Sequence, residues 1–447
     1  FFSLSGFLLK VLKKDKKLYY KELNSFVIKG ISSKASTTVF SVTIICLMLF
    51  MTISALSSSL SIQSALDSQL EKFTPVDVNL YKTAYLPESY VSSYSGKTIY
   101  NTEIQIEDSR HPVSYTLETN GYDMNNLKDI VEIPIYAIPE WTMKTSLGDY
   151  SEKAMQQFSM LAYDTPETVI KISDYNKVAA LYGNEQYSLN DDEYMVLCDF
   201  EQMINIRDEA LKQNSDIEIN GKTYHAKYKE CKDGFVLMST SNMNAGIILV
   251  PDSFEIKEEN TEQYFLAADY NAETEEEKIE LNNVLAGEVD SELFDNLSEK
   301  EINLEGMTKI SLTEASKGLS TIIIFIAIYL GIVFLIASSA ILALKQLTES
   351  SDNKQRYTIL RKIGCDEKMI NQALFRQIFI FFMMPLALAI VHSIFGIKFI
   401  LSMLAALASP DELLPSIIVT AVIIGAIYGL YFLATYFGSK NIIKEEE

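Results

Sequence analysis

LSTIIIFIAIYLGIVFLIASSAILAL, residues Leu319 to Leu344, runs for 26 residues without a charged side chain. A bilayer core about 30 Å thick takes about 20 apolar helical residues, so this stretch is long enough to cross one. Three more segments meet the same test: Thr37 to Leu60, Leu374 to beyond Phe395 (374–398), and Leu414 to Gly438 (414–438). Buried helices of a soluble core need apolar runs of only about 10–14 residues, which these exceed. The chain therefore reads as a membrane protein with four transmembrane helices.

Charge is segregated around those spans. Between Ser61 and Ile310 there are 47 Asp/Glu against 19 Lys/Arg, whereas the rest of the chain has 12 acids and 19 bases. The acidic block, 61–312, is inserted between the first and second spans and reads as an extracytoplasmic domain. Lys10 to Lys34 holds eight Lys against two acids, and Lys345 to Arg376 holds seven bases against four acids. Both loops are expected on the cytoplasmic side under the positive-inside rule. SPDEL, Ser409 to Leu413, has two acids and no base and is expected outside, which leaves the tail 439–447 cytoplasmic. FFSLSGFLL, Phe1 to Leu9, is apolar and then breaks into lysines. It reads as the end of an earlier span, and the chain as a C-terminal piece of a longer protein.

The acidic block patterns as α+β. VDVNLY (Val76 to Tyr81), TEIQIE (Thr102 to Glu107) and VEIPIYAI (Val131 to Ile138) alternate as strands do. Asn220-Gly221 sits between two alternating arms and predicts a hairpin. SDYNKVAALYG (Ser173 to Gly183) predicts a helix with a Ser/Asp start and a Gly stop, and EEEKIELNNVL (Glu275 to Leu285) a second, acidic helix.

Chemical motifs are absent from the sequence. There is no phosphate-binding G-x-x-x-x-G-K-[ST], no G-x-S-x-G, no H-E-x-x-H and no C-x-x-C. His111, His225 and His392 have no ligand spacing, and His392 reads as an interfacial residue of the third span. The cluster Asp191, Asp192 and Glu193 reads as solvated surface. No charged residue lies deep in a span, which argues against an ion-coupled carrier. No enzyme activity, cofactor, metal or nucleic-acid partner is expected. Cys198 and Cys231 share the acidic block and can pair, although their spacing does not require it.

Two basic segments carry more information. In Leu18 to Ser36, Tyr20, Leu23, Val27 and Ile31 fall on one helical face, as expected for an amphipathic helix lying on membrane lipid before the first span. In the loop 345–373, DNKQRYTILRKIG predicts a short helix stopped at Gly364, followed by a second helix capped by Asp366. Tyr357, Ile359, Leu360 and Ile363 would then be apolar in a loop with nothing of its own to pack on, so a partner is expected to cover them.

With these features the chain resembles the FtsX-like permeases of the MacB superfamily of ABC transporters. The order of span, large domain and three further spans is theirs, and RYTILRKIG (Arg356 to Gly364) is similar to their loop before the third span. Gln377 to Ser393 (QIFIFFMMPLALAIVHS) and KELNSF resemble most closely the C-terminal half of a bacitracin-exporter (BceB) type permease; the earlier spans of that branch are missing here. The resemblance implies a bacterial plasma-membrane permease subunit served by two copies of a separate ABC ATPase. Arg356, Tyr357, Leu360, Arg361, Ile363 and Gly364 would form the ATPase-coupling loop, with Leu360 and Ile363 in an ATPase groove and the two arginines at its rim. It also implies movement of a peptide or lipid-linked ligand outside, in antimicrobial-peptide resistance, and a sensor histidine kinase as a further partner. Regulation of a cell-wall hydrolase, as by FtsX itself, and a membrane-anchored receptor without ATPase are the alternatives.

Overall fold

The computed structural model describes residues 19–84, 102–159, 162–213, 215–403 and 413–444. Phe1 to Leu9 and most of Ser409 to Leu413 lie outside them. The helices in chain order are α1 Asn24–Phe73, α2 Glu103–Ser109, α3 Val113–Thr119, α4 Met143–Leu147, α5 Ser151–Gln157, α6 Ile172–Tyr182, α7 Glu201–Gln213, α8 Glu275–Leu285, α9 Glu292–Glu299, α10 Lys309–Asp352, α11 Lys354–Lys362, α12 Glu367–Met403 and α13 Leu413–Ile443. The strands are β1 Val78–Thr83, β2 Leu127–Thr142, β3 Pro166–Lys171, β4 Glu193–Leu197, β5 Asp216–Ile219, β6 Lys222–Ala226, β7 Ile247–Val250, β8 Thr261–Tyr270 and β9 Glu305–Thr308. Two compact units result: Phe1–Ala65 with Leu319–Glu447, and Leu66–Gly318.

The first unit contains four helices long and apolar enough to cross a membrane, within α1, α10, α12 and α13. Two of them exceed what a bilayer requires. At about 1.5 Å per residue, the 50 residues of α1 extend about 75 Å, and the 44 of α10 about 66 Å. Their shared core is apolar: Ile45 and Leu49 of α1, Leu335 and Leu342 of α10, Ile378 and Phe382 of α12, and Tyr428 of α13. Several buried polar groups in it find backbone partners. The Tyr428 hydroxyl donates to the Phe382 carbonyl at 2.8 Å, and Thr52 to that of Gly331 at 3.3 Å. Ile322, Phe325, Ile326 and Tyr329 of α10 stay exposed, as lipid-facing residues do.

The second unit is built on one nine-stranded sheet in the order β5-β6-β4-β7-β3-β2-β8-β1-β9. It is mixed: β3–β7 and β4–β6 are parallel, and the other pairs antiparallel. Period-two alternation divides β8 between two cores. Phe265 and Ala267 face the core that includes Tyr175 and Val178 of α6. Leu266, Ala268 and Tyr270 face Val113 and Leu117 of α3 and Leu293 and Leu297 of α9. Asn220 and Gly221 both have positive φ, 52° and 72°, as a type I′ hairpin between β5 and β6 requires. α8 spans Glu275–Leu285 behind a Thr274 and Glu277 capping box. α6 stops at left-handed Gly183, but its start differs from the expected Ser/Asp cap: no side chain of its own caps it, and Asp252 accepts from the Ser173 N–H at 3.2 Å.

One expected strand is a helix. TEIQIE forms the start of α2, where the Thr102 hydroxyl accepts from Gln105 N–H and the Gln105 side chain accepts from Thr102 N–H. This reciprocal cap outweighs the two-residue alternation. The helix buries its polar side, because Asp108 meets a buried lysine: Lys82 Nζ of β1 lies 2.8 Å from the Asp108 carboxylate and also donates to Thr116. A second buried pair joins Arg207 of α7 to Glu167 of β3 in bidentate fashion, at 3.0 and 3.1 Å. Cys198 and Cys231 are free thiols in contact, and the Cys231 hydrogen bond to Cys198 lowers the Cys198 pKa.

Asp199, at the end of β4, supplies a pH response. It is buried, and although it accepts a 2.8 Å bond from Asn244 N–H, burial pushes its carboxyl up to about 6. An unfolded Asp titrates near 3.9, so the folded state holds this proton more tightly. The stability this contributes is present below about pH 4 and is lost as pH rises through about 6. Asp199→Asn should therefore flatten that slope and raise stability at pH 8 by about 1–3 kcal/mol, each pKa unit being worth about 1.4 kcal/mol. Denaturant melts at pH 4 and pH 8 measure it.

The β1–β9 pair forms where two long helices enter the sheet. α1 ends at Phe73, a few residues before β1, and β9 runs directly into α10. The strands pair antiparallel with Val78 opposite Thr308, and Lys309 N–H donates to the Asp77 carbonyl at 2.9 Å. Phe73 is fully buried against Phe235, with ring centroids 4.9 Å apart. The adjoining ends of α1 and α10 are thus stitched to one edge of the sheet.

Candidate functional site: the loop helix and its anchor

The loop between α10 and α12 folds as the short helix α11, whose stop is fully formed. Gly364 N–H donates to the Arg361 carbonyl and Cys365 N–H to that of Leu360, both at 3.0 Å. This is a Schellman motif, and Gly364 occupies its left-handed position at φ +91°. A Cβ there would meet nothing within 4 Å, so glycine is required by the backbone and not by crowding.

The four apolar residues of α11 separate into two sets. Tyr357 is 1% exposed. Its ring lies 5.5 Å from that of Phe26 in α1, and its hydroxyl donates to Gln377 of α12 at 3.3 Å. Leu360 is half-buried against the same core. The expectation that all four lack an internal partner is therefore corrected: two of them anchor the helix to its own bundle. Ile359 and Ile363, one helical turn apart, remain 58% and 70% exposed. Arg356 and Lys362 beside them are also exposed. Arg361 lies to the side and pairs with Glu367 at the start of α12. The i, i+4 spacing sets Ile359 beside Ile363 on the exposed face, while Leu360 turns to the bundle.

The segment before the first span also differs from expectation. Asn24 to Phe73 is one continuous helix, so no separate helix turns into the span. The chain breaks just before it, at Glu22 with φ +52°. Tyr20, 73% exposed, lies beyond that break and does not share the face of Val27. Leu23 and Phe26 pack on the bundle core, and Val27 is buried. The side chain of Ile31 lies outside the described residues. Arg376 of α12 fastens this end, at 2.8 Å from Glu22 and 2.7 Å from the Asn24 side chain. The break changes the helical phase on which the shared face was counted; Leu23 and Val27 turn inward, and Phe26 beside them meets Tyr357 of α11. Phe26, Arg376 and Gln377 are the positioning residues that sequence reading missed.

Taken together, four membrane-length helices, an α+β sheet region between the first two, and an anchored basic loop helix define a multi-span membrane protein with a large sheet domain. Residues 328–446 match the FtsX-like permease C-terminal family, so this part of the chain is an FtsX-like permease domain. The bacitracin export permease protein BceB of Bacillus subtilis is 30% identical over 158 residues, 34% of this chain and 23% of the relative. BceB of Halalkalibacterium halodurans is 30% identical over 141 residues, 31% and 20% of the two chains. The ABC transporter permease protein YxdM of Bacillus subtilis is 21% identical over 305 residues, 67% and 45%. The matched stretches thus span less than half the length of each of these relatives. All three are named permeases, in keeping with a transporter subunit of the ABC type.

Proposed function

We propose that this chain is the mechanical half of an ABC exporter: a permease subunit served by two copies of a separate ATPase, one of which docks at α11. Ile359 and Ile363 carry the reading. A soluble-facing helix that buries Tyr357 in its own bundle yet leaves two neighbouring isoleucines exposed among basic residues is built as a contact surface. ATPase closure would push α11 and, through Tyr357, Phe26 and Gln377, tilt α1 and α12. α1 and α10 would carry the displacement to the β1–β9 edge, and the sheet domain would act on a peptide or lipid-linked ligand outside the membrane. The names of the BceB relatives, bacitracin export permeases, support export of an antimicrobial peptide as the context; resistance to it, and a sensor histidine kinase as a further partner, are part of the proposal and rest on no name.

In this reading the sheet domain is outside the plasma membrane and α11 and the C-terminus are cytoplasmic. Cysteines placed at Asp191 and Lys362 in a cysteine-free chain test it. In intact cells an impermeant maleimide should label position 191 and leave 362 unlabelled until the membrane is opened. Labelling of 362 in intact cells would overturn the reading.

A further inference from the structure

Between α1, α12 and α13 of the helical unit lies an apolar groove with a polar end. Met383 and Ile390 line it from α12, and Gly425 and Gly429 from α13. A Cβ built on either glycine meets nothing within 4 Å, so the two glycines open the groove and do not accommodate a packed neighbour. At one end stand Lys398, exposed, and Ser57, 1% exposed. The two are at similar depth, since a Cβ on Gly396 would lie 3.1 Å from the Ser54 hydroxyl. The Ser57 hydroxyl is buried without a hydrogen-bond partner among the described residues, an arrangement that costs free energy unless something else fills the role.

Dimensions decide what fits. From Phe379 to Lys398 the groove follows about 28 Å of helix. Counting all space out to the open mouth, about 1320 Å³, its mean section over that length is at most about 47 Å². A helix about 10 Å across needs about 80 Å². A hydrocarbon chain, about 4–5 Å across at contact, needs about 15–20 Å². The groove is too narrow for a helix and wide enough for a lipid tail, and the lysine at its end matches an anionic headgroup.

We propose that this groove is a binding site for one acyl chain of an anionic membrane phospholipid, with the tail along Gly425 and Gly429 and the phosphate beside Lys398 and Ser57. The proposal is independent of the ATPase reading, because it uses no residue of α11. The test places the full chain in nanodiscs with a phosphatidylglycerol or a phosphatidylcholine bearing a diazirine in its acyl chain, and maps the adducts. Adducts at Met383 or Ile390 should fall at least fivefold in Gly425→Leu/Gly429→Leu, while those at lipid-facing Phe325 and Tyr329 stay constant. Lys398→Gln, a surface change that leaves the bundle intact, should remove a preference of about fivefold for phosphatidylglycerol. Unchanged groove adducts in the filled variant, equal labelling by both lipids in the unaltered chain, or a cross-link through the groove to a second copy would each overturn the proposal.

Discussion

Ile359→Asp/Ile363→Asp should abolish association with the ATPase while the chain still inserts and its sheet domain still folds. Both side chains are exposed on α11, so the unbound chain loses no packing when they change. Burying one such side chain in a partner is worth about 1.5–3 kcal/mol, so losing two costs at least about 3 kcal/mol. At about 1.4 kcal/mol per decade, that weakens binding by at least ~100-fold, and the aspartates add the cost of burying charge. Arg361→Ala should do far less: its pair with Glu367 lies at the surface on the glutamate side, where such pairs contribute about 0–1 kcal/mol. Leu360→Asp is the less informative change, because Leu360 packs on the bundle and its loss disturbs the anchor itself. Co-purification of the ATPase with each variant, beside a cooperative melt as folding control, separates these effects.

Glu167→Ala should destabilise the sheet domain by about 3–5 kcal/mol. The carboxylate meets the Arg207 guanidinium through two bonds, with both side chains almost wholly buried. Removing one member leaves an uncompensated buried charge, which costs far more than the net worth of the pair. Arg207 has little freedom to leave, since its Nε is held by the Ala245 carbonyl and a Cβ on Gly246 would already lie 2.2 Å from its guanidinium carbon. Replacing both partners with apolar residues of similar volume should recover much of the loss. Denaturant unfolding of the single and double variants tests this, and a double variant no better than Glu167→Ala would assign the loss to packing instead.

Much of the architecture is written in local sequence. The spans follow from uncharged length alone, and the Asn220-Gly221 hairpin, the Gly183 stop and the Gly364 stop each follow from one residue whose backbone freedom the turn needs. TEIQIE misleads because its alternation and its capping box give opposite readings, and only the cap acts over the four residues that start a helix. The buried pairs are illegible for a different reason: Lys82 and Asp108 are 26 positions apart, Glu167 and Arg207 40 apart, and nothing local marks either as internal. The loop helix falls between these cases. Its existence and stop are local, but which apolar residues face inward depends on where Phe26 and Gln377 stand. That is why Tyr357 reads as available from sequence and is buried in the fold.

The central claim is that α11 is the ATPase contact, and a photo-crosslinking amino acid at position 363 tests it most directly. Irradiated membranes should give an adduct between this chain and an ATP-binding protein, absent when the same group is placed at lipid-facing Tyr329 and lost in the Ile359→Asp background. An ATPase adduct that forms equally from 329, or no ATPase adduct from 363 in cells that make an active transporter, would contradict it.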